Sequence, residues 1–162
     1  MSANRSDPTA PADDTARSLA RSLLAAADHA ALAVIDANGS TPGISRIAFG
    51  LGPDGALLTL ISALAPHHAA LAAHPACALM VGEAGPKGDP LTHPRLMIKA
   101  TATFIAGNDP ARAAIRDHWL AVHPKAKLYV DFADFAFVRF VPTSALLNGG
   151  FARAWRLKPQ DL

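Results

Sequence analysis

This chain has little of what marks most specialised sites. It holds one cysteine, Cys77, so no internal disulfide can form, and a reducing, cytoplasmic setting is the expectation. Cys77 sits in the apolar run ACALMV, which predicts a buried, inert thiol. Charge is sparse as well: 17% of residues are charged, and 15 basic against 13 acidic residues leave +2 with no basic run, which excludes nucleic acid as the default partner. No stretch approaches the ~18 consecutive apolar residues of a membrane span. No H-x₃-H, H-E-x-x-H or C-x-x-C spacing supports a metal site, and no G-x-S-x-G elbow supports a hydrolase.

What is present is a compact domain's worth of apolar sequence, 51% over 162 residues, enough for a single core. Residues 1–14 are polar and Pro-rich and read as a disordered lead-in to one domain spanning 15–162. From Asp14 to His29, Ala16, Leu19, Leu23 and Ala26 recur at helical spacing. A strand at 30–35, an Asn38-Gly39 two-residue hairpin turn and a strand at 43–50 follow. Gly50-Leu51-Gly52-Pro53-Asp54-Gly55 has dinucleotide-fingerprint spacing, but a strand run, Ala56–Ser62, follows it where the fingerprint needs a helix, so a hairpin is predicted.

The second half predicts a short helix at 64–74, a strand at 76–83, a long strand from Arg95, a helix capped by Asn108, and a last long strand through Phe135, Phe137, Arg139 and Val141. Too few helices are available to cross over between parallel strands. The expected fold is therefore α+β and mainly β: an antiparallel barrel with peripheral helices.

The organising stretch is Gly88–Thr103. A loop punctuated by Gly88, Pro90 and Pro94 feeds Arg95 into a strand that alternates Arg95, Met97, Lys99, Thr101 and Thr103 against Leu96, Ile98, Ala100 and Ala102. Such a junction holds a charge rigidly, as recognition requires. Arg46 is a second candidate. It stands mid-strand among Ile44 and Ala48, where an arginine either faces an anion or is a solvated barrel-surface residue.

The runs GDPLTHPRL, ISRIAF (Ile44–Phe49), SALAPHHAAL (Ser62–Leu71) and DFAFVRF…LNGGFARA (Asp134–Ala154) resemble the FMN-binding split-barrel proteins related to pyridoxamine 5′-phosphate oxidase, nearest to their haem-utilisation, HugZ-like branch. The resemblance implies a split barrel, an FMN cofactor, flavin-borne oxidoreductase chemistry on a small molecule, and a homodimer with the cofactor at the subunit interface. Longer relatives in that branch carry a further C-terminal domain, and this chain is expected to be the barrel alone.

Carried over residue by residue, the resemblance puts Arg46, Ser62, His67 and His68 on the FMN phosphate, Ile47, Ala48 and Phe49 along the flavin, and Arg95 at the ring or phosphate. It puts Asn148 and Arg153 on the substrate side. The match departs from the oxidase pattern where histidines replace Arg and Lys, and where Leu147 and Trp155 stand in place of Trp and His. Histidine at its ordinary pKa of about 6.5 is mostly neutral at neutral pH, which weakens a phosphate site. The alternative is a haem-binding protein on the same fold, with His67, His68 or His93 as axial ligand. A relative that has lost its cofactor is the third reading.

Overall fold

The computed structural model describes residues 9–162. In chain order the elements are β1 (Ala10–Pro11), α1 (Asp14–Ala26), β2 (His29–Ile35), β3 (Pro42–Ala48), β4 (Gly50–Leu51), β5 (Leu57–Ser62), α2 (Pro66–Ala73), β6 (Ala76–Val81), β7 (Arg95–Phe104), α3 (Arg112–Val122), β8 (Phe135–Asn148) and β9 (Ala154–Leu157). Neighbours run β1-β9-β8-β7-β6-β2-β3, and β5 joins the same β8 with β4 at its side. Every pairing is antiparallel except the short parallel contact of β1 with β9.

The sheet curls until β3 touches β5, where the Thr59 hydroxyl donates to the Ala48 carbonyl at 2.6 Å. Among the described residues no ladder pair joins these two strands, so the barrel is split along that seam. This is the mainly β, α+β barrel that the alternation predicted, split as the family resemblance implies.

The core follows from the period-two pattern. On β7, Leu96, Ile98, Ala100 and Ala102 turn inward and meet Leu32, Leu79, Phe140 and Leu147. On β5 every residue from Leu57 to Ile61 is buried, because both of its faces are covered. Leu57 and Ile61 point into the barrel, while Leu58 and Leu60 join Ile115, Trp119, Val130 and Phe137 in a second cluster under α3. Helix α1 closes the main core with Ala16, Ala20 and Leu24, four residues apart on one stripe. β8 is long enough to serve two partners, with Phe135–Phe140 on β5 and residues 145–148 on β9. Its register against β7 shifts between Lys99 and Ala100, where Pro142 has no N–H to donate.

Several boundaries differ from the sequence expectation. Part of the lead-in, residues 1–8, lies outside the described residues; of the rest, Ala10–Pro11 pairs with β9 and Asp13 caps α1 through a 2.7 Å bond from the Ala16 N–H. The turn after β2 is a four-residue loop: Asp36 N–H reaches Thr41 O, Gly39 N–H reaches Asp36 O, and only Gly39 is left-handed, at φ 75°. Asn38 keeps negative φ, so the mirror-image turn does not form. Helix α3 begins at Arg112, because the Asp109 carboxylate closes a separate turn on the Ala111 N–H before it. The hairpin between β4 and β5 bears out rejection of the dinucleotide reading. No helix among the described residues is long and apolar enough to cross a membrane.

Candidate functional site: a cation-edged outer sheet face

The ladder registers assemble one continuous outer face across the barrel. One row runs Arg46 on β3, Ala31 on β2, Met80 on β6, Met97 on β7, Leu146 on β8 and Arg156 on β9. The next runs Ile44, Ala33, Ala78, Lys99 and Ser144. On the other side, His29 pairs with Ala48, and Arg95 pairs with Asn148. With strands about 4.8 Å apart, the face spans roughly 20 Å from β3 to β8. Its centre is shallow and apolar, floored by alanines and methionines, and Ile44 and Met80 are 75% and 43% exposed. Arg46, Lys99 and Arg95 stand around that floor.

Arg46 is exposed and has no hydrogen-bond or ion-pair partner among the described residues. Ser62 ends β5, the strand that β3 meets at the seam of the barrel. At that seam the Ser62 hydroxyl donates to the Asp134 carboxylate at 2.7 Å and accepts from the Leu64 N–H at 3.1 Å, closing the turn into α2. His67 is half-buried in the first turn of α2, and burial, with His68 beside it, holds its pKa below the ordinary value. The His68 ring packs edge-on against Phe104 at 4.8 Å.

At the opposite end of the face, Arg95 bends back on its own loop and donates to Leu91 O at 2.9 Å and His93 O at 3.4 Å. Gly82 makes this possible: a Cβ there would stand 2.5 Å from Pro94 O and 2.8 Å from Arg95 Cα, and its φ is +102°. His93 staples the same loop. Its Nδ1 accepts from Gly85 N–H, so its Nε2 carries the proton it gives to Lys87 O. The following loop, residues 149–153, lies alongside, since a Cβ on Gly150 would stand 3.2 Å from Thr92 O. Arg153 is exposed on it and lies over Trp155 at 5.7 Å.

No protein-family model matches the sequence. The chain is 33% identical over 114 residues to the chloroplastic protein of Arabidopsis thaliana named non-canonical heme oxygenase HOZ, a match covering 70% of this chain and 34% of that protein. It superposes on a heme binding protein from Mycobacterium smegmatis with a TM-score of 0.81 at 25% identity, over 93% of this chain and 60% of the other. A Listeria innocua protein described as a candidate pyridoxamine 5′-phosphate oxidase shares the fold, with a TM-score of 0.64 at 15% identity over 83% and 98% of the two chains. The chain belongs to the split-barrel family related to pyridoxamine 5′-phosphate oxidase, near its haem-utilisation branch. It spans about a third of the length of the curated relative.

The family's flavin would need a phosphate cradle, and the residues here fit it poorly. The hydroxyl expected to serve phosphate is already given to a carboxylate, and Asp134 would face the incoming dianion. Of the four phosphate residues expected, Arg46 alone is both charged and free among the described residues, because His67 is held neutral and His68 is packed on a ring. The side chains of Ile47 and Phe49 are buried in the core, and the Phe49 and Ala48 carbonyls are bonded to His123 and Thr59, so this segment offers a ligand little beyond the Ala48 side chain.

Nor does a single chain gather the expected residues in one place. His68 and Arg95 lie at opposite ends of β7, about 30 Å apart along a ten-residue strand. Arg95 and Asn148 do pair, as neighbours across β7 and β8. Sequence reasoning missed Asp134, for which no motif gives a signal. It also missed His29, whose Nδ1 and Nε2 meet Asp28 at 2.5 Å and Glu83 at 2.9 Å. The Asp28-His29 dipeptide was the one hint of it.

Proposed function

We propose that the protein binds haem on this outer face, as a haem-handling homodimer whose two faces meet around the ligand. The observation that carries the reading is the face itself, apolar across its middle and cationic at its edges. Haem is a flat apolar ring with two carboxylates on one edge, so a floor of Ala31, Ala33, Ala78, Met80 and Met97 suits the ring, while Arg46, Arg95 and Lys99 give the face the positive potential that draws in a dicarboxylate. The named relatives support the same reading, one called a heme oxygenase and one a heme binding protein.

Among the three axial candidates, His67 fits best. His93 uses both ring nitrogens within its loop and His68 is packed against Phe104, whereas His67 is kept neutral, the form that ligates iron. Bound haem supplies iron redox chemistry; these residues bind and orient it. FMN is the second reading, favoured by Arg46, an exposed cation with no partner among the described residues that could meet a phosphate.

Separate titrations with haemin and with FMN, followed by absorbance and flavin fluorescence, test the two readings. A saturable Soret shift that changes position in His67→Ala is expected. Quenched flavin bands without any Soret shift would overturn the haem reading.

A further inference from the structure

Beyond β7 the outer face deepens into a groove of about 1410 Å³, roofed by the start of α1 and by the chain segment after β9. Its floor is Met97 and Leu146, and its walls carry Arg17, Arg21, Lys99 and Lys158. One acid lines it, Asp161, and that carboxylate is already bound by the Arg17 Nε at 2.8 Å and by the Lys158 N–H at 2.8 Å. Arg21 and Lys99 are exposed and have no acidic partner among the described residues. They come from unrelated elements, the exposed side of α1 and the outward position of β7, yet both line one concavity. A cleft lined by unpaired like charges over an apolar floor focuses potential on an anion with an apolar body.

We propose that this groove is the carboxylate subsite for the tetrapyrrole: Arg21 and Lys99 take the two propionates while Met97 and Leu146 lie under the apolar edge that carries them. The proposal rests on the haem reading of the outer face. It commits to a dicarboxylate because two separate cations face a single apolar floor.

The test compares haemin, metal-free protoporphyrin IX and the dimethyl ester of protoporphyrin IX on the wild-type protein and on the double variant Arg21→Glu/Lys99→Glu. Both side chains are exposed, so the fold is retained; Lys125→Glu, in the turn after α3, is the charge-matched control. The wild type is expected to bind the diacid at least tenfold more tightly than the diester. The double variant should lose that preference and the control should keep it.

Equal affinity of the wild type for diacid and diester, or an unchanged haemin affinity in the double variant, overturns the subsite and leaves haem binding standing. Failure of the wild type to bind either haemin or porphyrin overturns both.

Discussion

At the residue scale the deciding contact is the one between Ser62 and Asp134. A hydroxyl serves phosphate only when its surroundings do not repel the dianion, and here the carboxylate that accepts the Ser62 proton stands 2.7 Å away. Removing that charge while keeping the shape isolates the effect. Asp134→Asn is expected to raise FMN affinity by about tenfold, the order of one charge-assisted contact, without raising haemin affinity. Isothermal titration of both ligands against wild type and variant reads this directly, and equal FMN binding by the two proteins would show that Asp134 is not what weakens the cradle.

Gly82 makes a sharper structural point. An added Cβ would meet backbone atoms of Pro94 and Arg95 rather than a movable side chain, at a φ that L-residues avoid. Gly82→Ala should therefore cost about 2 kcal/mol or more in chemical denaturation and displace Arg95 with its loop.

At the scale of elements, much of the fold was legible. The alternation on β7 predicted both the strand and its buried side, because a half-buried strand leaves a period-two record of its environment. β5 left no such record, since α3 covers its outer side and all positions from Leu57 to Ile61 are apolar or buried. β9 escaped detection because four residues carry too short a pattern, and it is β8, by outrunning β5, that gives them a partner. The site was less legible than the fold: an outer face is defined by registers between strands far apart in sequence, and no local motif encodes that Arg46, Met80 and Met97 share a row.

The loop from Gly82 to Pro94 behaves as an element of its own, tied down by His29 between Asp28 and Glu83. Hydrogen bonds that His29 donates, first to Asp28 and then to Glu83, raise its pKa above the ordinary value, and His29 in turn lowers that of Asp28. A raised histidine pKa stabilises below the unfolded value near 6.5 and is lost as pH rises through the folded pKa; a lowered aspartate pKa stabilises above the unfolded value and is lost as pH falls through the folded one. The clamp is thus strongest between about pH 5 and 6.5. Hydrogen exchange at the amides of residues 83–85 should be slower, relative to intrinsic rates, at pH 6 than at pH 8.5, and His29→Gln should remove the difference. A protection factor independent of pH in the wild type would show that His29 does not hold the loop.

At the scale of the whole molecule, the chain buries two cores yet leaves a six-strand face with an apolar centre uncovered. Ile44 on the edge strand and Met80 near the middle are both exposed, on rows floored by Ala31, Ala33 and Ala78. A lone chain rarely keeps a contiguous apolar area of this kind exposed. Two copies pairing through this face would cover its apolar centre, whereas a single chain holds the His68 and Arg95 ends of β7 apart.

Sedimentation velocity at micromolar concentration is therefore expected to give a dimer. Met80→Glu, a charge placed in the centre of the apolar floor without touching either core, should give a folded monomer whose haemin affinity falls in step with the dimer fraction. If the wild type sediments as a monomer and still binds haemin stoichiometrically, the face serves the ligand alone, and His67 and Arg95 of one chain cannot be parts of one site.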